Sequence, residues 1–461
     1  MTGAVVTPVI EPLPGVVARD LPELLAAYPD LFAHLYASLA RGHAGTSGAA
    51  NARWSILFSR AVRECRALPG RNFLADWADA IQAAPVASAA SLPFVGGWSF
   101  YLGYELGAQI EPSLRLPAFE SGEAAGFPLA VAQYHPAAIV YDHQAECAWL
   151  VQDGAHPEIA AALRATVTPL KPLPRPLSEA GSVRIEGLMV DAPDAFEAGV
   201  ARVKAYLFAG DVFQANLSRA WRFRAPEPDA GARIFTALAR QNPAPFAAWY
   251  RLPEGEILSS SPERLVNHQA GAVSVRPIAG TRRRVADATE DAALVAELRA
   301  HPKERAEHIM LIDLARNDLG RVCQPGSVVV DELMVVESFA HVHHLVSNVT
   351  GRLAAGRTVL DVLAAVFPGG TITGCPKVRC MEILAELEDT GRGPYTGSLG
   401  YLSLDGQMDS NILIRTVFLA ADGRGEFRTG AGIVADSDPV RERVETEEKA
   451  RGLLLALSAG R

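Results

Sequence analysis

The chain has 461 residues, 49% of them hydrophobic and 21% charged, with a net charge of −9 and a pI near 5.7. This composition excludes a disordered chain and argues against nucleic acid as the main partner, while leaving room for a local cationic pocket. Five scattered cysteines without a close pair indicate neither a disulfide framework nor a zinc site. The opening MTGAVVTPVIEPLPGVV and the lack of a long apolar run predict no signal peptide, no membrane partner and a cytoplasmic setting.

In chain order, WSILFSR (54–60) reads as a core strand and NFLADWADAIQAA (72–84) has helical periodicity. GGWSFYLGYELG (96–107) sets four glycines among aromatics, a mark of tight packing or close backbone approach. LAVAQYHPAAIVYDHQAECAWLVQ (129–152) reads as two strands joined by a turn at Asp142-His143-Gln144. Pro169, Pro172, Pro174 and Pro176 then make a semi-rigid connection, dividing the chain into regions 1–175 and 185–461 that can both contribute to one sandwich. The second region opens with a helix over 193–210, stopped by Gly210, followed by a strand in 211–223. ILSSSPERLVNH (257–268) and VSVRPIAGTRRR (273–284) each read as a strand, as do segments of 323–352 that carry His341, His343 and His344. FPGGTITGCPKVRCMEILAEL (367–387) is a Gly-rich loop running into a helix, and YTGSLGYLSLDGQMDSNILIRTVFLA (395–420) is strand-rich with a hairpin turn at Asp405-Gly406.

Two helices carry paired carboxylates. In 302–322, Glu304 and Glu307 lie on one face, and Ala306, Ile309, Met310, Ile312 and Leu314 supply apolar surface for burial. In 438–457, Asp438 is a helix cap, Pro439 suits the first turn, Glu442 and Glu445 repeat the spacing, and Lys449 lies one turn beyond Glu445. Such pairs are ordinarily solvated. If the four carboxylates faced one another they would need a hard cation, and Mg²⁺ fits because it takes few protein oxygens plus substrate oxygens. Pro368-Gly369-Gly370-Thr371 before a helix and the TGAGI loop (429–433) could each offer backbone N–H groups to an anion, or simply be turns. Arg415 and Lys449 are candidate carboxylate clamps.

SPER (261–264), RPIAGT (276–281), KERAEH (303–308), DLARNDLGRV (313–322), HHLVSNV (343–349), FPGGTITGCPKVRCMEI (367–383), PYTGSLGYLSLDG (394–406) and GAGIVADSD (430–438) occur in that order. Together they resemble the chorismate-utilising enzymes: component I of anthranilate synthase and of aminodeoxychorismate synthase, and the isochorismate and salicylate synthases. The resemblance is dense from about 190 to 456, which makes 185–461 the expected chorismate-binding catalytic region and 1–175 an N-terminal component I-like region. It implies an α/β (α+β) fold, a large two-part sandwich of intertwined antiparallel sheets with flanking helices. It implies Mg²⁺ on Glu307 and Glu445, supported by Glu304 and Glu442, gripping the ring carboxylate of chorismate and helping the 4-hydroxyl leave. Tyr395, Arg415, Lys449 and the backbone near Gly430 and Gly432 match carboxylate-holding groups. Glu263 matches a general acid, His344 a pocket histidine and Thr281 a ring-side contact.

Where the water-using branches carry Lys, this chain has Gln214 in GDVFQANLSR, and a neutral amide is no base. Ammonia is therefore the implied nucleophile, supplied by a separate glutamine amidotransferase subunit (component II). SPERL, QANLS, HHLVS, GGTITG and MDSNI look like aminodeoxychorismate synthase, and the LLES segment of the tryptophan feedback site is missing. Ala279 points the other way, because that branch commonly has a nucleophilic Lys there and anthranilate synthases have Ala. The expected product is 4-amino-4-deoxychorismate, with anthranilate plus pyruvate as the alternative. An inactive scaffold is disfavoured because all four carboxylates and Lys449 are present.

Overall fold

Alternating apolar residues and frequent turns set the strands, which in the computed structural model join, among the described residues, into two antiparallel sheets of twelve and ten strands interspersed with helices. The structure describes residues 7–40, 52–81, 92–123, 126–168, 177, 183–339 and 342–458. Most of the proline-rich connection, the end of the expected 72–84 helix and His341 lie outside the described residues.

Each sheet draws strands from both sides of that connection. Phe32–Ala37 pairs with Phe246–Leu252 in the larger sheet, and Gly97–Leu102 pairs with Ser398–Ser403 in the smaller. The two regions are thus joined by backbone hydrogen bonds, the intertwining expected from the sequence. Tyr101, Tyr250, Ile257, Leu399, Leu413 and Phe418 belong to one buried cluster with members on strands of both sheets.

Several expected strands are broken instead, and some of the breaks switch sheets. The 129–152 segment forms three strands: Ala130–His135 in the smaller sheet, then Ala137–Asp142 and Cys147–Gln152 in the larger. The break falls at Pro136, which has no N–H to extend a ladder. Likewise Gly255–Ser261 lies in the larger sheet and Arg264–Gln269 in the smaller, with Pro262 and Glu263 at the crossing. The return crossing joins Met408–Asn411 to Thr416–Ala420. Pro277 separates Ala272–Val275 from Ile278–Arg283 in the expected 273–284 strand.

Local signals locate the helices well. Asn72 accepts a hydrogen bond from the Ala75 N–H and caps Phe73–Ala80. Gly210 takes the left-handed conformation (φ 81°) that ends Pro193–Ala209. Asp438 accepts from the Arg441 N–H at the start of Pro439–Ser458. The hairpin turn has Gly406 at φ 85°. Helix Pro302–Gly320 forms as expected but buries another stripe: His308, Leu311, Ile312, Ala315 and Leu319 are buried, whereas Ala306 and Ile309 are exposed. That stripe follows the i, i+3, i+4, i+7 spacing and faces strands Ile278–Arg283 and Val342–Arg352.

Candidate active site

Two of the crossings between the sheets place the central side chains. A strand that changes sheets turns its backbone out of the ladder, so its side chains enter the space between layers. Glu263 sits on one crossing and Arg415 on the other, and both line a cavity of about 210 Å³. Arg415 has φ 51°, a left-handed conformation that costs a non-glycine residue about 1 kcal/mol, and its carbonyl accepts the Ser260 N–H at 3.1 Å. Thr396, beside Tyr395, is left-handed as well (φ 62°).

Seven of the residues expected in the site line this one cavity: Glu263, Thr281, His344, Tyr395, Arg415, Gly430 and Lys449. Burial raises the Glu263 carboxyl to about 7, against the Thr371 hydroxyl that donates to Oε1 at 2.7 Å and the charges of Arg415 and Lys449. A carboxyl poised there can hold and release a proton at neutral pH. Burial lowers His344 to about 4, helped by the charge of Arg415, so the imidazole is neutral at pH 7; its Nδ1 shares a 2.9 Å hydrogen bond with Thr281 Oγ1. Burial lifts the Tyr395 phenol to about 12, so it stays protonated and able to donate. Lys449 Nζ donates to the Gly430 carbonyl at 2.9 Å and pairs with Glu445 at 2.8 Å.

The TGAGI stretch, read as an anion-binding loop or a plain turn, is instead the end of strand Arg424–Ile433. Its glycines provide room. A side chain at Gly430 would collide with Asn216 Oδ1 and the Tyr395 hydroxyl, and one at Gly432 would collide with the Gln214 amide. The Pro368–Thr371 loop runs only into a short 3-10 turn, Gly370–Ile372, and the α-helix starts later, at Lys377. Between them Gly374–Cys375 pairs with Gln214–Ala215 as a short strand. Behind the Tyr395 wall, the buried Glu388 carboxylate accepts from Arg392 at 2.6 and 2.8 Å, from Arg428 at 3.4 Å and from the Ser218 N–H at 2.7 Å. Burial alone would raise that carboxyl, but the two guanidiniums hold it below its ordinary value.

The other expected residues surround the cavity. Gln214 is buried, and its Nε2 donates to Glu307 Oε1 at 3.3 Å. Ala279 is buried on the strand that carries Thr281. Glu304 Oε1 accepts from Arg282 at 2.6 Å, while Oε2 is buried with no hydrogen-bond partner among the described residues. Among the described residues, no group of three or more His, Cys, Asp or Glu side chains is arranged to hold a metal ion. The four carboxylates are therefore not gathered in one cage: Glu304 is engaged by Arg282, Glu307 by Gln214 and Glu445 by Lys449. The oxygen donors and the orphaned Oε2 still suit a hard cation that takes few protein ligands and completes its shell with substrate and water.

The site expected from the sequence leaves out several cavity residues, among them the polar Asn216, Thr371 and Arg428. Asn216 was within reach, because it lies two residues after Gln214 on one strand and so shares its face. Thr371 sits in a loop motif read for its backbone rather than its hydroxyl. Arg428 carries no local signal, since only the fold brings Glu388 behind it.

The family model of the chorismate binding enzymes matches residues 43–455. The chain is 42% identical over 372 residues to the anthranilate synthase component I-like protein of Synechocystis, covering 79% of this chain and 73% of that one. It is 44% identical over 326 residues to aminodeoxychorismate synthase component 1 of Bacillus subtilis, covering 69% and 68%. Among solved structures, anthranilate synthase component I from Streptococcus pneumoniae superposes with a TM-score of 0.76 at 32% identity, covering 87% of this chain and 92% of that one. Among the described residues, no helix is long and apolar enough to cross a membrane. With the family's pattern running through nearly the whole chain and its fold reproduced, this protein belongs to the chorismate-binding enzymes.

Proposed function

We propose that this chain is the amination component of an aminodeoxychorismate synthase, replacing the 4-hydroxyl of chorismate by ammonia to give 4-amino-4-deoxychorismate and water. The observation that carries the reading is Glu263, a buried carboxyl held at about 7 in a cavity that also contains Arg415 and Lys449. Arg415, Lys449 and the Tyr395 hydroxyl fit a dianionic substrate. Glu263 delivers its proton to the departing 4-hydroxyl, and the resulting carboxylate is balanced by Arg415. Neutral His344, oriented through Thr281, contacts the ring without adding charge. Gln214 accepts and orients ammonia beside Glu307, because its amide can hydrogen-bond a nucleophile without competing as one.

Mg²⁺ would be held by Glu307 and Glu445, with Glu304 and Glu442 in support, and when bound it supplies Lewis acidity at the ring carboxylate. A glutaminase subunit is the expected ammonia source, in line with the component 1 naming of the B. subtilis relative. The chemistry and the acidic charge fit a cytoplasmic enzyme of 4-aminobenzoate and folate synthesis.

Anthranilate formation is the second reading, and Ala279 favours it. A buried methyl group offers no amine to attack C2, so ammonia or water adds there first, or ammonia reaches C4 by another path. If the amine stays at C2, loss of pyruvate gives anthranilate. Mass and fluorescence analysis of a reaction with chorismate, Mg²⁺ and ammonium separates the two. A product that retains the enolpyruvyl group is expected, and anthranilate with stoichiometric pyruvate overturns the assignment. Ala279→Lys is expected to be tolerated and to form an adduct visible by mass spectrometry; a folded but wholly inactive variant would contradict a pocket suited to that route.

A further inference from the structure

Strand Gln214–Arg224 sends Ala215 and Leu217 into the apolar cluster beneath the helices, so Gln214, Asn216 and Ser218 share the opposite face. The two outer residues have partners there. Gln214 holds Glu307, and Ser218 holds Glu388. Asn216 stands between them with its backbone fully engaged: its N–H donates to the Thr373 carbonyl at 3.0 Å, and its carbonyl accepts from Arg392 at 2.6 Å. Its side chain is different. The residue is 8% exposed, it lines the cavity, and its Oδ1 is buried with no partner among the described residues.

A buried amide end without a partner costs about 1–3 kcal/mol unless a ligand completes it. The amide reaches a defined corner, because a side chain at Gly430 would collide with both Asn216 Oδ1 and the Tyr395 hydroxyl. Lys449 is fixed at the same corner through the Gly430 carbonyl. Arg428 behind it is matched by Glu388 and adds little net charge. The two ends of the amide have nearly the same shape, so a half-turn puts Nδ2 where Oδ1 stands. A hydroxyl donor, an amide donor and an ammonium then line the same cavity around Gly430, which suits a carboxylate.

We propose that Asn216 is a substrate-binding residue whose amide, with Tyr395 and Lys449, holds the enolpyruvyl carboxylate of chorismate, the one not assigned to the metal-side glutamates. This rests on the function proposed above.

The test is direct titration of chorismate, with Mg²⁺ present, into the full chain and two variants checked by thermal melting. Asn216→Leu keeps the volume and removes the hydrogen bonds, so it should fold and bind at least tenfold more weakly. Asn216→Asp keeps the shape and sets a carboxylate against the ligand's, so it should bind about a hundredfold more weakly or worse. A leucine variant that binds within twofold of the wild type overturns the inference. If the leucine variant does not fold, the aspartate variant decides, and wild-type affinity there overturns it equally. A wild-type chain that binds no chorismate overturns the proposed function and this inference together, whereas wild-type binding with unaffected variants overturns this inference alone.

Discussion

Replacing Glu263 with Gln tests the acid in two independent ways. Glutamine keeps the shape and can still accept the Thr371 hydroxyl, but it cannot ionise. In the wild type, burial raises this carboxyl from an ordinary 4.5 to about 7. The folded chain therefore holds the proton more tightly than the unfolded chain. That contribution is fully present below about pH 4.5 and is lost as the pH rises through about 7. At about 1.4 kcal/mol per tenfold change in proton affinity, the loss is about 3 kcal/mol. Denaturant unfolding of wild type and Glu263→Gln at pH 5, 6, 7 and 8 isolates it, because every other titrating group cancels in the difference. The variant should gain on the wild type by about 2.5 kcal/mol between pH 5 and pH 8, since part of the loss has already occurred at pH 5. Turnover should fall by about 10²–10⁴-fold in the variant, and wild-type turnover should decline as the pH passes about 7. A stability difference that is flat from pH 5 to pH 8 would refute the buried, poised carboxyl.

Glu307→Gln and Glu445→Gln should each abolish turnover with the fold intact and weaken the Mg²⁺-dependent rise in melting temperature. Near-normal turnover of both at saturating Mg²⁺ would remove the metal assignment. Purified alone, the chain should use ammonium and not glutamine, with glutamine use appearing only when a glutaminase subunit is added. Glutamine turnover by the chain itself would contradict the expected partner. Gly280→Ala should destabilise the fold by at least about 1–2 kcal/mol, because Gly280 has φ 74° and a methyl there meets Glu304 Oε2 and Leu298 Cδ1. Melting that matches the wild type would show that this backbone and the Glu304 carboxylate can move apart freely.

What the sequence determined by itself is whatever depends on near neighbours. Asp438 and Pro439 start a helix, Gly210 ends one, and Asp405-Gly406 turns a hairpin, because caps and turns are satisfied within a few residues. The ordered motifs also carried the family, and they named seven residues that line the cavity: Glu263, Thr281, His344, Tyr395, Arg415, Gly430 and Lys449. Tertiary structure decided the rest. Which stripe of helix Pro302–Gly320 is buried depended on the sheet it packs against, and its apolar residues are spread around too many sides to choose alone. The sheet crossings at Pro136 and Pro262 look like continuous strands in one dimension, and only the layered partners reveal the switch. The Glu388 network and the Asn216 Oδ1, without a partner among the described residues, arise from residues distant in sequence. Burial, which raises Glu263 and lowers His344, exists only once the layers close over them.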